Sequence, residues 1–176
     1  MKKIALVAAC LFSLPTFADN LKGYYAGAAF DFIDGNATDA SNNNVDFRGI
    51  EFHGGYKYNS WLGAEARVGF GMSGETFSMQ SGNALVDVDV DIDHFESIYY
   101  RAEAANTTAK LYGLLGYSNV QTTSGDESTS ASGPSYGFGV GFVIHESANL
   151  NFEYRQLLNS SDNEFTSLSI GFDYRF

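Results

Sequence analysis

Reactive chemistry in this chain would have to come from three histidines, one cysteine and a surplus of carboxylates. His145 stands in His145-Glu146-Ser147, a base two residues before a hydroxyl, which is the pairing an acyl-transfer nucleophile needs. His53 and His94 are isolated from it in sequence, and Cys10 lies in the leader described below. The material for a complete set of nucleophile, base and orienting group is therefore thin, and catalysis is not expected. The densest acidic feature is Val86-Asp87-Val88-Asp89-Val90-Asp91-Ile92-Asp93. As a strand it sets Asp87, Asp89, Asp91 and Asp93 on one face and β-branched residues on the other. A calcium loop would need Gly at its sixth position, where Ile92 stands, so no metal site is assigned. A solvated acidic edge that discourages edge-to-edge pairing is expected, with loose binding of a divalent cation or a basic partner as its functional reading.

The elements that position these residues follow from composition and period. The chain has 176 residues, 10 Lys plus Arg against 21 Asp plus Glu, 19 Gly and 15 Phe with 11 Tyr. No basic patch exists for phosphate neutralisation, which excludes nucleic acid as a partner. One cysteine excludes a disulfide scaffold, and the abundant aromatics exclude low-complexity disorder.

Lys2-Lys3, the apolar run Ile4 to Phe12 and Thr16-Phe17-Ala18 form a charged region, a short hydrophobic region and a small-x-small site. Residues 1–18 are expected to be a signal peptide cleaved before Asp19, because the apolar run is shorter than the ~20 residues of a helical span. Val7-Ala8-Ala9-Cys10 as a lipoprotein site is the lesser alternative. Loss of Lys2 and Lys3 leaves 8 basic residues against 21 acidic ones in residues 19–176.

Beyond the leader, alternation with period two replaces any helical pattern. Eight strands are expected, at 23–33, 47–58, 61–73, within 86–105, within 110–122, and at 136–144, 150–158 and 166–176. Aromatics gather near their ends, as at Tyr24, Tyr56, Trp61, Tyr136, Tyr154 and Tyr174. Short connections follow the second, fourth and sixth strands, and longer polar ones follow the others. Together these features specify an all-β fold, an eight-stranded antiparallel up-and-down transmembrane β-barrel. Facing is ambiguous only in the fifth strand, where Leu111, Leu115 and Tyr117 compete with Tyr112, Leu114 and Val120.

With the polar face turned inward, the lumen receives Glu51, His53, Lys57, Glu65, Arg67, Arg101, Glu103, Glu153 and Arg155, joined by Asp31, Asp173 and Arg175. An eight-stranded barrel has room only for side chains, so these charges must pair in a closed interior. A narrow ion-conducting pore is the alternative, requiring a continuous water path.

The last eight residues read Ser169-Ile170-Gly171-Phe172-Asp173-Tyr174-Arg175-Phe176. Gly171, Tyr174 and the terminal Phe176 resemble the signal by which the barrel-assembly machinery takes up its clients. With Gly23-Tyr24-Tyr25-Ala26-Gly27, Leu111 to Tyr117 and Leu150 to Arg155, residues 19–176 resemble the small outer-membrane β-barrel family that includes OmpX, Ail and the transmembrane part of OmpA. The resemblance implies an integral protein of a Gram-negative outer membrane, monomeric and without a cofactor. Its implied partners are outer-membrane lipid, lipopolysaccharide and the assembly machinery, and no peptidoglycan-binding domain is expected. Some small barrels modify lipid, and His145-Glu146-Ser147 faintly resembles the His-x-Ser of lipid A deacylases. Strand counting from a periplasmic N-terminus places His145 at the periplasmic end, away from lipid A. The expected function is therefore non-catalytic, in envelope integrity or surface adhesion through acidic extracellular loops.

Overall fold

The computed structural model describes residues 22–37, 44–73, 75–81, 84–124, 127–145, 147–159 and 163–176. The leader at 1–18 and the expected start at Asp19 lie outside them. Nine strands follow one another: β1 Gly23–Ala37, β2 Asn44–Lys57, β3 Leu62–Ser73, β4 Glu75–Ser81, β5 Ala84–Ala105, β6 Ala109–Ser124, β7 Glu127–His145, β8 Ala148–Asn159 and β9 Asn163–Arg175. Each pairs antiparallel with its neighbours. The ring closes where β9 meets β1 and β3 meets β5. β3 pairs with β5 from Leu62↔Ala102 to Phe70↔His94, and β4 continues along the same strand from Glu75↔Val90 to Ser81↔Ala84. The two segments thus form one stave of a closed eight-stranded barrel.

Alternation explains the wall. Phe52, Phe70, Phe138, Phe152, Phe172 and Ile98 are exposed on the outside, whereas Glu51, Glu65, Arg67, Glu153 and Arg155 are buried inside. Burial is inverted relative to a water-soluble core because the outer face meets hydrocarbon, where apolar side chains lie and the backbone must satisfy itself through the ladder. Aromatic pairs cluster at the end carrying the termini, with Tyr24 and Tyr56 ring centroids 4.8 Å apart and Tyr174 and Phe176 5.4 Å apart. Such rings suit the interface between headgroup and hydrocarbon.

Two ends of the barrel differ. At the terminal end the connections are tight and capped by asparagine: the Asn59 side-chain oxygen accepts from the Trp61 and Leu62 amides at 2.9 and 2.8 Å, and that of Asn106 from Thr108 and Ala109 at 2.8 Å each. These side chains stand in for a backbone turn. At the other end the longer polar connections expected from the sequence are largely strand. β4 and the start of β5 make a hairpin across Ser81↔Ala84, and β6 and β7 make another across Ser124↔Glu127. The Gly-flanked stretch Glu75–Ser81 carries only Phe77 and Met79 among polar residues and is too short for a membrane strand, so it reads as a connection in the sequence. Among the described residues β7 pairs with β8 only as far as Tyr136↔Gln156, so Glu127–Ser135 have β6 alone as their ladder partner. Pro134, with no amide hydrogen to offer, sits two residues past that last pair, where a strand lacks a neighbour on one side.

Candidate functional site

The lumen is narrow, and glycine makes room for its large side chains. A Cβ at Gly55 would stand 2.4 Å from the Tyr25 ring, at Gly139 2.3 Å from that of Tyr112, and at Gly69 2.0 Å from that of Phe95. The inward glycines are therefore the complement of inward rings.

Near the terminal end lies a continuous ionic layer. Arg67 is its hub: Nη1 donates to Glu51 at 2.9 Å and to Glu153 at 2.8 Å, Nη2 donates to Glu153 at 3.0 Å, and the guanidinium also contacts Glu65. Arg155 donates to Asp31 at 3.0 Å, with off-axis ion contacts to Glu51 at 2.7 Å and Glu153 at 2.8 Å. Arg101 donates to Glu65 at 2.9 Å while its guanidinium carbon stands 3.8 Å from the Tyr112 ring centroid. Tyr25 donates its hydroxyl to Glu65 at 2.7 Å. Nearer the turns, Lys57 and Arg175 both donate to Glu103, at 2.7 and 3.1 Å.

Lys110 is the member that strand pattern did not reveal. It is buried and donates to Asp173 at 2.7 Å, and Asn149 and Asn151 donate to the same carboxylate at 2.5 and 2.9 Å. The facing of β6 was ambiguous from sequence, and Lys110 shares its inward side with Tyr112, Leu114, Ser118 and Val120, while Leu115 and Tyr117 face out. With Lys110 included, Lys57, Arg67, Arg101, Lys110, Arg155 and Arg175 balance Asp31, Glu51, Glu65, Glu103, Glu153 and Asp173 one for one. His53, expected to be available to the network, is buried but has no hydrogen-bond partner at either ring nitrogen. The nearby carboxylate of Glu65 is already engaged by Tyr25, Arg67 and Arg101.

Above the charges lies a hydroxyl layer, then an apolar one. Tyr99 and the serines at 118 and 135 lie 3.0 and 2.7 Å apart at their oxygens, and Ser97 is 2.7 Å from Ser118. Ile33, Phe47, Ile92, Phe95, Val120 and Leu157 then pack together, all buried, with Phe165 against them. The sequence reading assigned only charged side chains to the lumen by name, and this apolar plug adds to them. Two bulges help to build it. The register shifts between Ile92 and His94, so that Ile92 and Phe95 both turn inward, and between Gln156 and Leu158, so that Leu157 and Leu158 are both buried.

Outside the plug the surface turns acidic and hydroxylic. Asp91 and Asp93 are exposed on β5; the backbones of Asp87 and Asp89 are in the same strand, but their side chains lie outside the described residues. Thr123 donates to Asp93 at 2.6 Å, Ser130 to Asn119 at 2.7 Å, and the hydroxyls of Thr123 and Ser128 are 2.9 Å apart. Asp34 and Asp46 face each other across β1 and β2, and the shared hydrogen bond and mutual repulsion hold the Asp34 carboxyl above its ordinary range. Among the described residues no group of three or more His, Cys, Asp or Glu side chains gathers as a metal site. His94 stands 4.0 Å from Glu96, and His145 is exposed at the terminal end. Glu146 lies outside the described residues. At the C-terminus Gly171 is buried against Ala29, and Phe172, Tyr174 and Phe176 point outward.

The fold has close counterparts among solved structures. Ail of Yersinia pestis, crystallised with the heparin analogue sucrose octasulfate, superposes with a TM-score of 0.63 at 19% identity, covering 89% of this chain and 99% of that one. Neisserial surface protein A superposes with a TM-score of 0.67 at 12% identity, covering 90% and 100%. OprG of Pseudomonas aeruginosa gives 0.61 at 13% identity, covering 89% and 97%. No curated protein sequence matches the chain. Residues 4–176 match the outer membrane protein beta-barrel domain, and since that match spans nearly the whole sequence, the chain belongs to this family of outer-membrane barrels.

Proposed function

We propose that the protein is a non-conducting, non-catalytic outer-membrane barrel whose working part is the polar sheet raised above its lipid belt. The observation that carries this reading is the contrast between a filled interior and a projecting surface. Inside, the charges are paired and an apolar plug lies over them, leaving no role for a water path. Outside, β4 to β7 extend past their neighbours as hairpins whose described outer residues are acids, hydroxyls and amides. Short turns face the periplasm in barrels of this kind, which orients the hairpins to the cell exterior.

The acidic surface selects its partners by charge. A basic protein segment, a divalent cation bridging to lipopolysaccharide, or a basic host surface suits Asp91 and Asp93. Ail was crystallised with a sulfated sugar, but such an anion suits this surface poorly. Adhesion or envelope bridging is thus the function, exerted through surface contact rather than reaction.

The test is replacement of Asp87, Asp89, Asp91 and Asp93 together by Asn in cells carrying the protein. Binding to a polylysine-coated surface and uptake of calcium by the purified barrel should both fall, while the barrel keeps its heat-modifiable migration in detergent. Unchanged binding of both probes would remove the acidic strand from the account, and loss of the folded form would show that these residues serve the barrel itself.

A further inference from the structure

We propose that the lumen closes a covalent bond within itself, an amide joining the Lys110 side chain on β6 to the Asn151 side chain on β8, with release of ammonium. The strand between them makes the approach possible. Lys110 and Asn151 both pair with Gly141 of β7, and a Cβ at Gly141 would stand 2.3 Å from Lys110 Cε and 2.5 Å from Asn151 Oδ1. Glycine there lets the lysine lie over β7 and reach the amide on its far side. Along the same strand the space at Gly139 is taken by Tyr112 of β6 and that at Gly137 by Arg155 of β8, so β7 sets no side chain between its two neighbours.

Asp173 of β9 holds the reacting groups together. Its Oδ2 accepts from Lys110 Nζ at 2.7 Å and from Asn151 Nδ2 at 2.9 Å, while Oδ1 accepts from Asn149 at 2.5 Å. One oxygen thus touches both the nitrogen that attacks and the nitrogen that leaves. Asn151 Oδ1 is buried without a hydrogen-bond partner, so the amide is held at the carboxylate through its nitrogen alone. In the reaction Asp173 takes a proton from the Lys110 ammonium, and the free amine adds to Cγ of Asn151. The Nζ–Cγ bond forms and the Cγ–Nδ2 bond breaks. Nδ2 receives one proton from Asp173 and one from the attacking nitrogen and leaves as ammonium, with Asp173 a carboxylate again. Both side chains and the carboxylate are buried, which holds the reactants in place and keeps water from competing with the amine. Only the closed barrel brings β6, β8 and β9 into register, so the freshly folded protein holds the ion pair and the bond follows.

The test is the mass of the folded protein purified from its membrane, compared with the mass calculated from its sequenced N-terminus. The protein should be lighter by one ammonia, and protease digestion should release a branched peptide joining Lys110 to Asn151. Lys110→Arg keeps the positive charge but offers no free amine, and should restore the calculated mass. Chain refolded from inclusion bodies should acquire the branch with time, and Asp173→Asn should slow its appearance at least about 100-fold. A wild type of full calculated mass, with Lys110 and Asn151 recovered in separate peptides, would overturn the proposal whether or not the variants fold. Ammonia lost from the Asn151 peptide alone would overturn it in favour of a cyclic imide. A branch from Lys110 to Asp173 or to Asn149 would overturn the assignment of Asn151 as the group attacked.

Discussion

The two halves of the lumen are lined by the same eight staves and filled by opposite chemistries. In the lower half six acids and six bases interlock, with Arg67 touching carboxylates from three strands. In the upper half Ile33, Phe47, Ile92, Phe95, Val120 and Leu157 fill the same cross-section without a charge. The difference is one of tolerance. An ionic layer depends on every member, because a removed partner leaves an uncompensated charge in a confined site. An apolar layer loses only contacts and gains a cavity. The lumen is thus packed in two layers that fail under different substitutions.

Arg67→Met should show the largest effect, since it removes the one cation shared by Glu51, Glu65 and Glu153 and leaves Arg155 and Arg101 to hold them: a loss of about 3–5 kcal/mol, read by urea unfolding of the folded barrel in lipid vesicles. A loss no greater than that of an outward-facing substitution would mean that water already screens the layer. Phe95→Ala should cost about 3 kcal/mol in the same assay, because Gly69 opposite it offers no side chain to fill the space. Lys110→Met should cost less, about 1–3 kcal/mol, because Asn149 and Asn151 still donate to Asp173. Adding Asp173→Asn to that variant should recover part of the loss; a further decline would show that the pair does not act as a unit.

The smallest effect lies outside the membrane, at Asp34. Its carboxyl is raised above the ordinary value by Asp46, so the folded state holds its proton more tightly than the unfolded chain does. That pair therefore favours folding below the ordinary carboxylate range, and the benefit is lost as pH rises through the raised value. Asp34→Asn should flatten this part of the stability profile without moving the rest, and an unchanged profile would remove the pair as its source.

Much of this is legible in the sequence. Glu65 and Arg67, like Glu153 and Arg155, announce their face because opposite charges two apart on a strand share a side and have no place in hydrocarbon. Polarity was also the limit of that reading. Phe95 and Ile33 turn inward, yet an apolar residue carries no mark to distinguish lumen from lipid. The bulges near Asp93 and Leu157 shift the phase at the very places where the plug forms. Lys110 follows a turn and precedes apolar residues on both faces, so its side depended on register, which only the paired strands determine. The hydroxyl-rich hairpin of β6 and β7 resembled a loop because its strands leave the belt and lose its apolar alternation, whereas the acidic run keeps its alternation and reads as a strand.

The central claim is that the barrel does not conduct and acts through its surface, and planar-bilayer recording on the purified protein tests it most directly. The wild type, Arg67→Met and Phe95→Ala should each give no stable single-channel steps, because either layer alone still closes the lumen, whereas the double variant, if it folds, should admit ions. Reproducible unitary conductance in the wild type would contradict the account and make the protein a pore.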